Sequence, residues 1–113
     1  DRTKDMIISG GDHVYSADTE SALSLHPDVL ECAVIGIPDE KWGERVHAIV
    51  RPKPGAQATT DDLIAHCKAK IAGFKCPQSV EFREAPFPIS ATGKVLKRDL
   101  RAPYWAGHGR NVN

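Results

Sequence analysis

Residues 29–51, VLECAVIGIPDEKWGERVHAIVR, hold two β-prone runs separated by a polar turn. Val29 to Ile37 contains the unbroken apolar stretch Cys32-Ala33-Val34-Ile35, which predicts a strand covered on both faces. Arg45 to Arg51 alternates instead: Val46, Ala48 and Val50 point one way, and Arg45, His47 and Arg51 the other. Ile49 interrupts the polar side, so that side is not wholly solvated. Pro52-Lys53-Pro54-Gly55 ends the second strand.

Upstream, Met6-Ile7-Ile8 and Val14-Tyr15 flank Ser9-Gly10-Gly11-Asp12, a glycine pair between β-prone runs that predicts a hairpin. Ser16 is expected to cap a helix with Asp18 and Glu20 near its positive end, and Pro27 to stop it. Downstream, Thr59 or Thr60 opens a second helix with Asp61 and Asp62 in its first turn. Leu63, Cys67 and Ile71 form its buried seam, and Gly73 is its stop signal. Ser79 to Arg83 is expected as a strand, with Val80 and Phe82 on one face. Pro86 to Gly93 is expected as a loop, and Val95 to Arg101 as a short helix with Leu96 and Leu100 inward. This order predicts an α+β fold: a small mixed β-sheet with helices packed on it, preceded by a short β-hairpin. We expect one domain over residues 1–113, with 1–5 as hinge or linker and 102–113 as tail.

At 113 residues the chain exceeds the roughly 70–80 below which one core seldom suffices without disulfides or a metal. Fifteen cations balance fifteen acids, so no global field draws it to nucleic acid or an anionic membrane. Neutrality and only seven aromatic residues also argue against RNA. Cys32, Cys67 and Cys76 are odd in number and lack C-x-x-C spacing, which suits reduced thiols in a cytoplasmic chain. No apolar run approaches the ~18 residues of a membrane span, and we expect no signal peptide. Because Asp1 lies inside a dense charged motif, we expect a further part of the polypeptide upstream.

Three features stand out chemically. Asp1-Arg2-Thr3-Lys4-Asp5 carries four charges in five residues, in the manner of a solvated linker. Ser9-Gly10-Gly11 is either a plain turn or a loop whose amides admit a ligand close to the backbone. Pro88-Ile89-Ser90-Ala91-Thr92-Gly93-Lys94 places a lysine at a loop tip before the basic Lys97, Arg98 and Arg101. It is either an exposed loop lysine beside a basic or RNA-touching patch, or one charge aimed into a cleft. It is not a P-loop, because Val95 follows Lys94 and Pro88 stands five before Gly93. His13, His26, His47, His66 and His108 show no metal-ligand spacing, and Ser9 and Ser90 lie in no G-x-S-x-G elbow.

In this order the three features, together with Pro38-Asp-Glu-Lys-Trp-Gly-Glu44 and Leu100-Arg101, resemble the C-terminal domain of the acyl-adenylate-forming enzymes. That superfamily includes AMP-forming acyl-CoA synthetases, firefly-type luciferases and the adenylation domains of peptide synthetases. The resemblance runs from Asp1 to about Trp105. It implies the swivelling domain of an ATP-dependent fatty or related acyl-CoA ligase. Lys94 would be the catalytic lysine of acyl-AMP formation, Lys4 the hinge, and Arg2 a contact on the nucleotide side. Ser9, Gly10 and Gly11 would line the pantetheine tunnel, and Trp42 and Phe74 would lie against coenzyme A. Cys76 and Gln78 stand where certain relatives carry cations for the coenzyme A phosphates. The implied substrates are a carboxylic acid, ATP with Mg²⁺ and coenzyme A, held largely by a large N-terminal domain of the same polypeptide. These 113 residues alone are therefore expected to be inactive. The alternatives are an adenylation domain acting on a carrier protein and a non-enzymatic protein- or RNA-binding module.

Overall fold

The computed structural model describes residues 6–107. Strands β1 (Met6–Ser9) and β2 (Asp12–Tyr15) form the expected hairpin. Helix α1 (Ser16–Ser24) follows, then the long strands β3 (Val29–Asp39) and β4 (Gly43–Pro52). Helix α2 (Thr60–Lys68), a 3₁₀ turn at Gly73–Lys75, strand β5 (Ser79–Phe82) and helix α3 (Lys97–Trp105) complete the order.

The sheet is mixed. β3 and β4 pair antiparallel, whereas β5 runs parallel to β4 from His47↔Ser79 to Val50↔Phe82. The hairpin is part of this sheet, joined to β4 through Ser9↔Gly43. β1 and β5 thus lie end to end along one side of β4, and β3 on the other side forms the sheet's edge.

Both faces of β3 are covered, as its apolar run predicts, and both faces of β4 are covered as well. On one face Val34, Val46, Ala48 and Val50 join Ile7, Val14, Leu23, Leu63 and Cys67 beneath α1 and α2. On the other, Ala33, Ile35, Ile37 and Ile49 meet Phe87 and Leu100 of the α3 layer. Ile49 therefore lies in a second core, which explains the break in the alternation. His47 on that face is also buried, bonded to the Ser79 hydroxyl at 2.6 Å and the Glu81 carboxylate at 3.0 Å. All three thiols are free, and burial pushes Cys32 and Cys67 up to about 11 and raises Cys76.

Local expectations fail at three places. Ser16 does not cap α1; Tyr15 holds that position with no side-chain capping bond, and the buried Ser16 hydroxyl instead accepts from Lys97 Nζ at 2.9 Å. Thr59 does cap α2, in a reciprocal box with Asp62. That helix ends at Lys68, however, before Ile71 and before Gly73, which begins the 3₁₀ turn. At its exit the Cys67 carbonyl accepts both the Lys70 amide at 2.9 Å, a tightened last turn, and the Ile71 amide at 2.8 Å. Finally, the helix expected over Val95–Arg101 runs over Lys97–Trp105, so residues 102–105 of the expected tail are helical. A bond from the Leu96 amide to the Pro88 carbonyl (2.8 Å) keeps Leu96 out of the helix and exposed, and Val95 packs inward instead.

Candidate functional site

Lys94 closes a self-bonded turn. The Ser90 amide donates to the Lys94 carbonyl at 2.8 Å, and the Gly93 amide to the Ser90 carbonyl at 2.9 Å. The Ser90 hydroxyl accepts the Lys94 amide at 3.3 Å. Gly93 adopts φ +86°, a backbone state that costs a side-chain-bearing residue roughly 1–2 kcal/mol, so glycine is favoured here. An Ile89↔Val95 bridge closes the turn's base. The Lys94 side chain is exposed, and among the described residues its ammonium has no hydrogen-bond or ion-pair partner. The backbone is thus fixed while the charge is free to meet a ligand.

A second corner forms where the β1–β2 turn meets the β3–β4 turn. Asp39 organises the latter: its carboxylate accepts the Lys41 amide at 2.8 Å, the Trp42 amide at 2.9 Å and Arg45 Nε at 2.9 Å. Those bonds, the Trp42 amide foremost, hold its carboxyl below the usual 3.8. Trp42 is thereby presented with its carbonyl accepting the Gly10 amide at 2.9 Å and its ring against Gly10. Lys41 Nζ lies 4.9 Å from the centre of that ring.

Gln78 locks this corner to the sheet. Its backbone amide donates to the Val46 carbonyl at 2.7 Å, while its side-chain oxygen accepts the Val46 amide at 2.9 Å. The same oxygen receives the Ser9 hydroxyl at 3.3 Å. Gln78 thus fills the notch between β1 and β5 along β4. Nothing in the sequence marks that role, because a glutamine acting as a strand surrogate has no local signature.

Phe74 is exposed on the 3₁₀ turn, with Lys75 Nζ 5.9 Å from its ring centre. Thr19 of α1 holds the turn by donating to the Lys75 carbonyl at 2.6 Å. Cys76 is buried, with its thiol toward the Ala72 carbonyl, and presents nothing to a phosphate. Arg2 and Lys4 lie outside the described residues. The structure therefore brings Ser9, Gly10 and Trp42 together and sets Lys94 on a separate hairpin. Among the described residues no group of three His, Cys, Asp or Glu side chains converges on a metal, and no helix is long and apolar enough to cross a membrane.

The family described as AMP-binding enzyme C-terminal domain matches residues 18–94. This chain belongs to that family. Among curated relatives, a feruloyl-CoA synthase of Amycolatopsis sp is 46% identical over 101 residues, covering 89% of this chain and 20% of that protein. The fatty acid–[acyl-carrier-protein] ligase ScoC of Streptomyces coeruleorubidus is 43% identical over 113 residues, 100% of this chain and 22% of its own length. Among solved structures, ATP-bound MatB from Rhodopseudomonas palustris superimposes with a TM-score of 0.85 at 36% identity, covering 93% of this chain and 21% of MatB. The AMP-binding C-terminal domain described here thus spans about a fifth of the length of the relatives it matches.

Proposed function

We propose that this domain is the swivelling part of an ATP-dependent acyl-CoA ligase, cytoplasmic, acting with a large N-terminal domain that holds ATP, its Mg²⁺ and the acid. The observation that carries it is the pairing of a rigid turn with an uncommitted ammonium at Lys94 and a separate corner at Gly10 and Trp42. In the first half-reaction the carboxylate attacks the α-phosphorus of ATP, pyrophosphate leaves and acyl-AMP forms. Two anions must approach, and an ammonium about 4 Å from each supplies roughly 4 kcal/mol per contact at an effective dielectric of 20, an upper-range figure for a closed site. Lys94 fits that part. In the second, the thiol of coenzyme A attacks the acyl carbonyl, loses its proton and expels AMP. That step gains nothing from the lysine and needs a smooth path for the pantetheine arm, which the Ser9-Gly10-Gly11 turn suits. Trp42 and Phe74, with Lys41 and Lys75 beside their rings, offer an aromatic and cationic rest for the nucleotide end of coenzyme A. Rotation about a hinge at Lys4, with Arg2 toward the nucleotide, would exchange the two surfaces.

The test is Lys94→Ala in the full-length enzyme. Acyl-AMP formation should fall by about 10²–10³ in rate, the usual cost of one preorganised charge. Thioester formation from supplied acyl-AMP should persist, and equal loss of both half-reactions contradicts the assignment. Similarity to ScoC along the whole chain supports a second reading, in which the acceptor is the pantetheine arm of a carrier protein. Comparing coenzyme A with a loaded carrier protein as acceptor separates the two. The 113 residues alone should turn over neither substrate.

A further inference from the structure

We propose that Glu20 and Lys97 are positioning residues for Lys94, an inference that rests on the role of Lys94 in acyl-AMP formation. The hairpin bearing Lys94 is not a strand of the sheet; its base is the Ile89↔Val95 bridge, and α3 starts directly after it. Lys97, the first residue of α3, occupies a place that local preference opposes. A cation at a helix N-terminus faces the positive end of the dipole, and no side chain caps this helix at Leu96. Its hold comes from across the fold. Lys97 Nζ lies 2.5 Å from Glu20 Oε2 and 2.9 Å from Ser16 Oγ. Ser16 and Glu20 are four apart on α1 and so share a helix face. The same Glu20 oxygen accepts the Val34 amide of β3 at 2.9 Å, which fixes the carboxylate on the sheet itself.

α1 and α3 cover opposite faces of the sheet, so this ion pair clasps them around the free edge of β3. Its side chains are only 19% and 25% exposed, enough burial for the pair to be weakly screened. Lys94 is three residues from that clasp. Releasing it frees the first turn of α3 and lets the Lys94 turn drift, and a misplacement near 1 Å in a charge of this kind costs on the order of 10²-fold in rate. Neither residue touches substrate in this scheme.

The experiment uses the full-length enzyme with Glu20→Gln, which keeps an acceptor for the Val34 amide, along with Lys97→Met, Lys97→Arg and Lys94→Ala. The expected result is a fall of about tenfold to 10²-fold in kcat for acyl-AMP formation in Glu20→Gln and Lys97→Met. KM for ATP and the acid, and thioester formation from supplied acyl-AMP, should stay near wild type. Lys97→Arg should restore most of the rate. Thermal denaturation of each variant guards against misfolding. Equal loss in both half-reactions, tracking loss of melting temperature, overturns the proposal, as does a wild-type rate in Glu20→Gln and Lys97→Met while Lys94→Ala is inactive. Full activity in Lys94→Ala overturns it together with the role of Lys94 on which it rests.

Discussion

The Gly10 amide donates to the Trp42 carbonyl at 2.9 Å, and the Trp42 ring stands where a side chain on Gly10 would be: a Cβ there would lie 2.4 Å from Trp42 Cε3. A turn between two short strands and a turn between two long ones are thus shaped to each other, and glycine is the only residue that admits the ring.

Gly10→Ala and Gly11→Ala should therefore differ. Both positions have positive φ, +60° and +88°, and each carries the roughly 1–2 kcal/mol of left-handed strain. Only Gly10 adds a collision, since a Cβ on Gly11 meets nothing within 4 Å. Chemical denaturation should show the larger loss for Gly10→Ala, with more of the tryptophan emission open to acrylamide as Trp42 is pushed outward. Equal losses would mean that the ring yields freely. In the full-length enzyme, a bulky side chain at Gly11 should harm mainly thioester formation, since it projects into open space; a defect confined to acyl-AMP formation would contradict that.

Asp39 links this corner to pH. Its carboxyl is held below the ordinary 3.8 by bonds from the Trp42 amide and from Arg45, so the folded state favours the ionised form. The resulting stability is complete above the ordinary carboxylate range and is lost as pH falls through the depressed folded value. Asp39→Asn should be less stable than the parent at neutral pH, with the gap closing in acid. Denaturant titrations at several pH values measure it; a gap that stays constant into acid would assign the effect to shape rather than charge.

Trp105 supplies a third test. Its ring nitrogen donates to the Gly36 carbonyl at 3.0 Å, just as Glu20 accepts the Val34 amide two residues earlier. Val46, the partner of Gly36, makes its own bonds to Gln78 on the opposite side, so the Gly36 groups point off the sheet's edge. Two side chains therefore occupy successive positions of an edge that could otherwise template another strand. Trp105→Phe keeps much of the packing but leaves a buried acceptor open, and should cost about 1–3 kcal/mol. Equilibrium unfolding reads this directly, and a loss below a few tenths of a kcal/mol would show that the bond carries no weight.

The thiols make a fourth. With Cys32 and Cys67 pushed up to about 11 by burial, roughly one molecule in 10⁴ carries the thiolate at pH 7, against roughly one in 10² at the ordinary 9.0. Iodoacetamide should leave both unmodified in the folded chain over times that label the denatured chain fully, as peptide mass spectrometry would show. Because the folded values are raised, this stabilisation holds below pH 9.0 and is lost as pH rises through about 11. Cys32 is only half-buried, and its labelling at the rate of a free thiol would contradict the raised value.

Some of this was open to inspection in the residues alone. The alternation of Val46, Ala48 and Val50 and the unbroken run at Cys32-Ala33-Val34-Ile35 follow from a side-chain period of two, which needs no tertiary context. The glycine pair and the Thr59 capping residue are equally local. The roles of Gln78, Glu20 and Lys97 were hidden because each partner lies elsewhere in the chain: Gln78 meets Val46, Glu20 meets Val34, and Lys97 meets Ser16. The role of Ser16 is hidden for the same reason, since a hydroxyl that suits a cap by type is held by a lysine 81 positions away.

Residue order by itself determined one strand buried on both sides beside an alternating one, a glycine turn, and a lysine at a loop tip, because backbone sterics and hydrophobic period act over a few neighbours. Only the folded chain decided that Trp42 closes on Gly10, that Gln78 stands in for a strand between β1 and β5, and that α3 is clasped to α1 around the edge of β3. Those contacts join segments far apart in sequence, so which residues meet is set by how the layers pack and not by any local pattern.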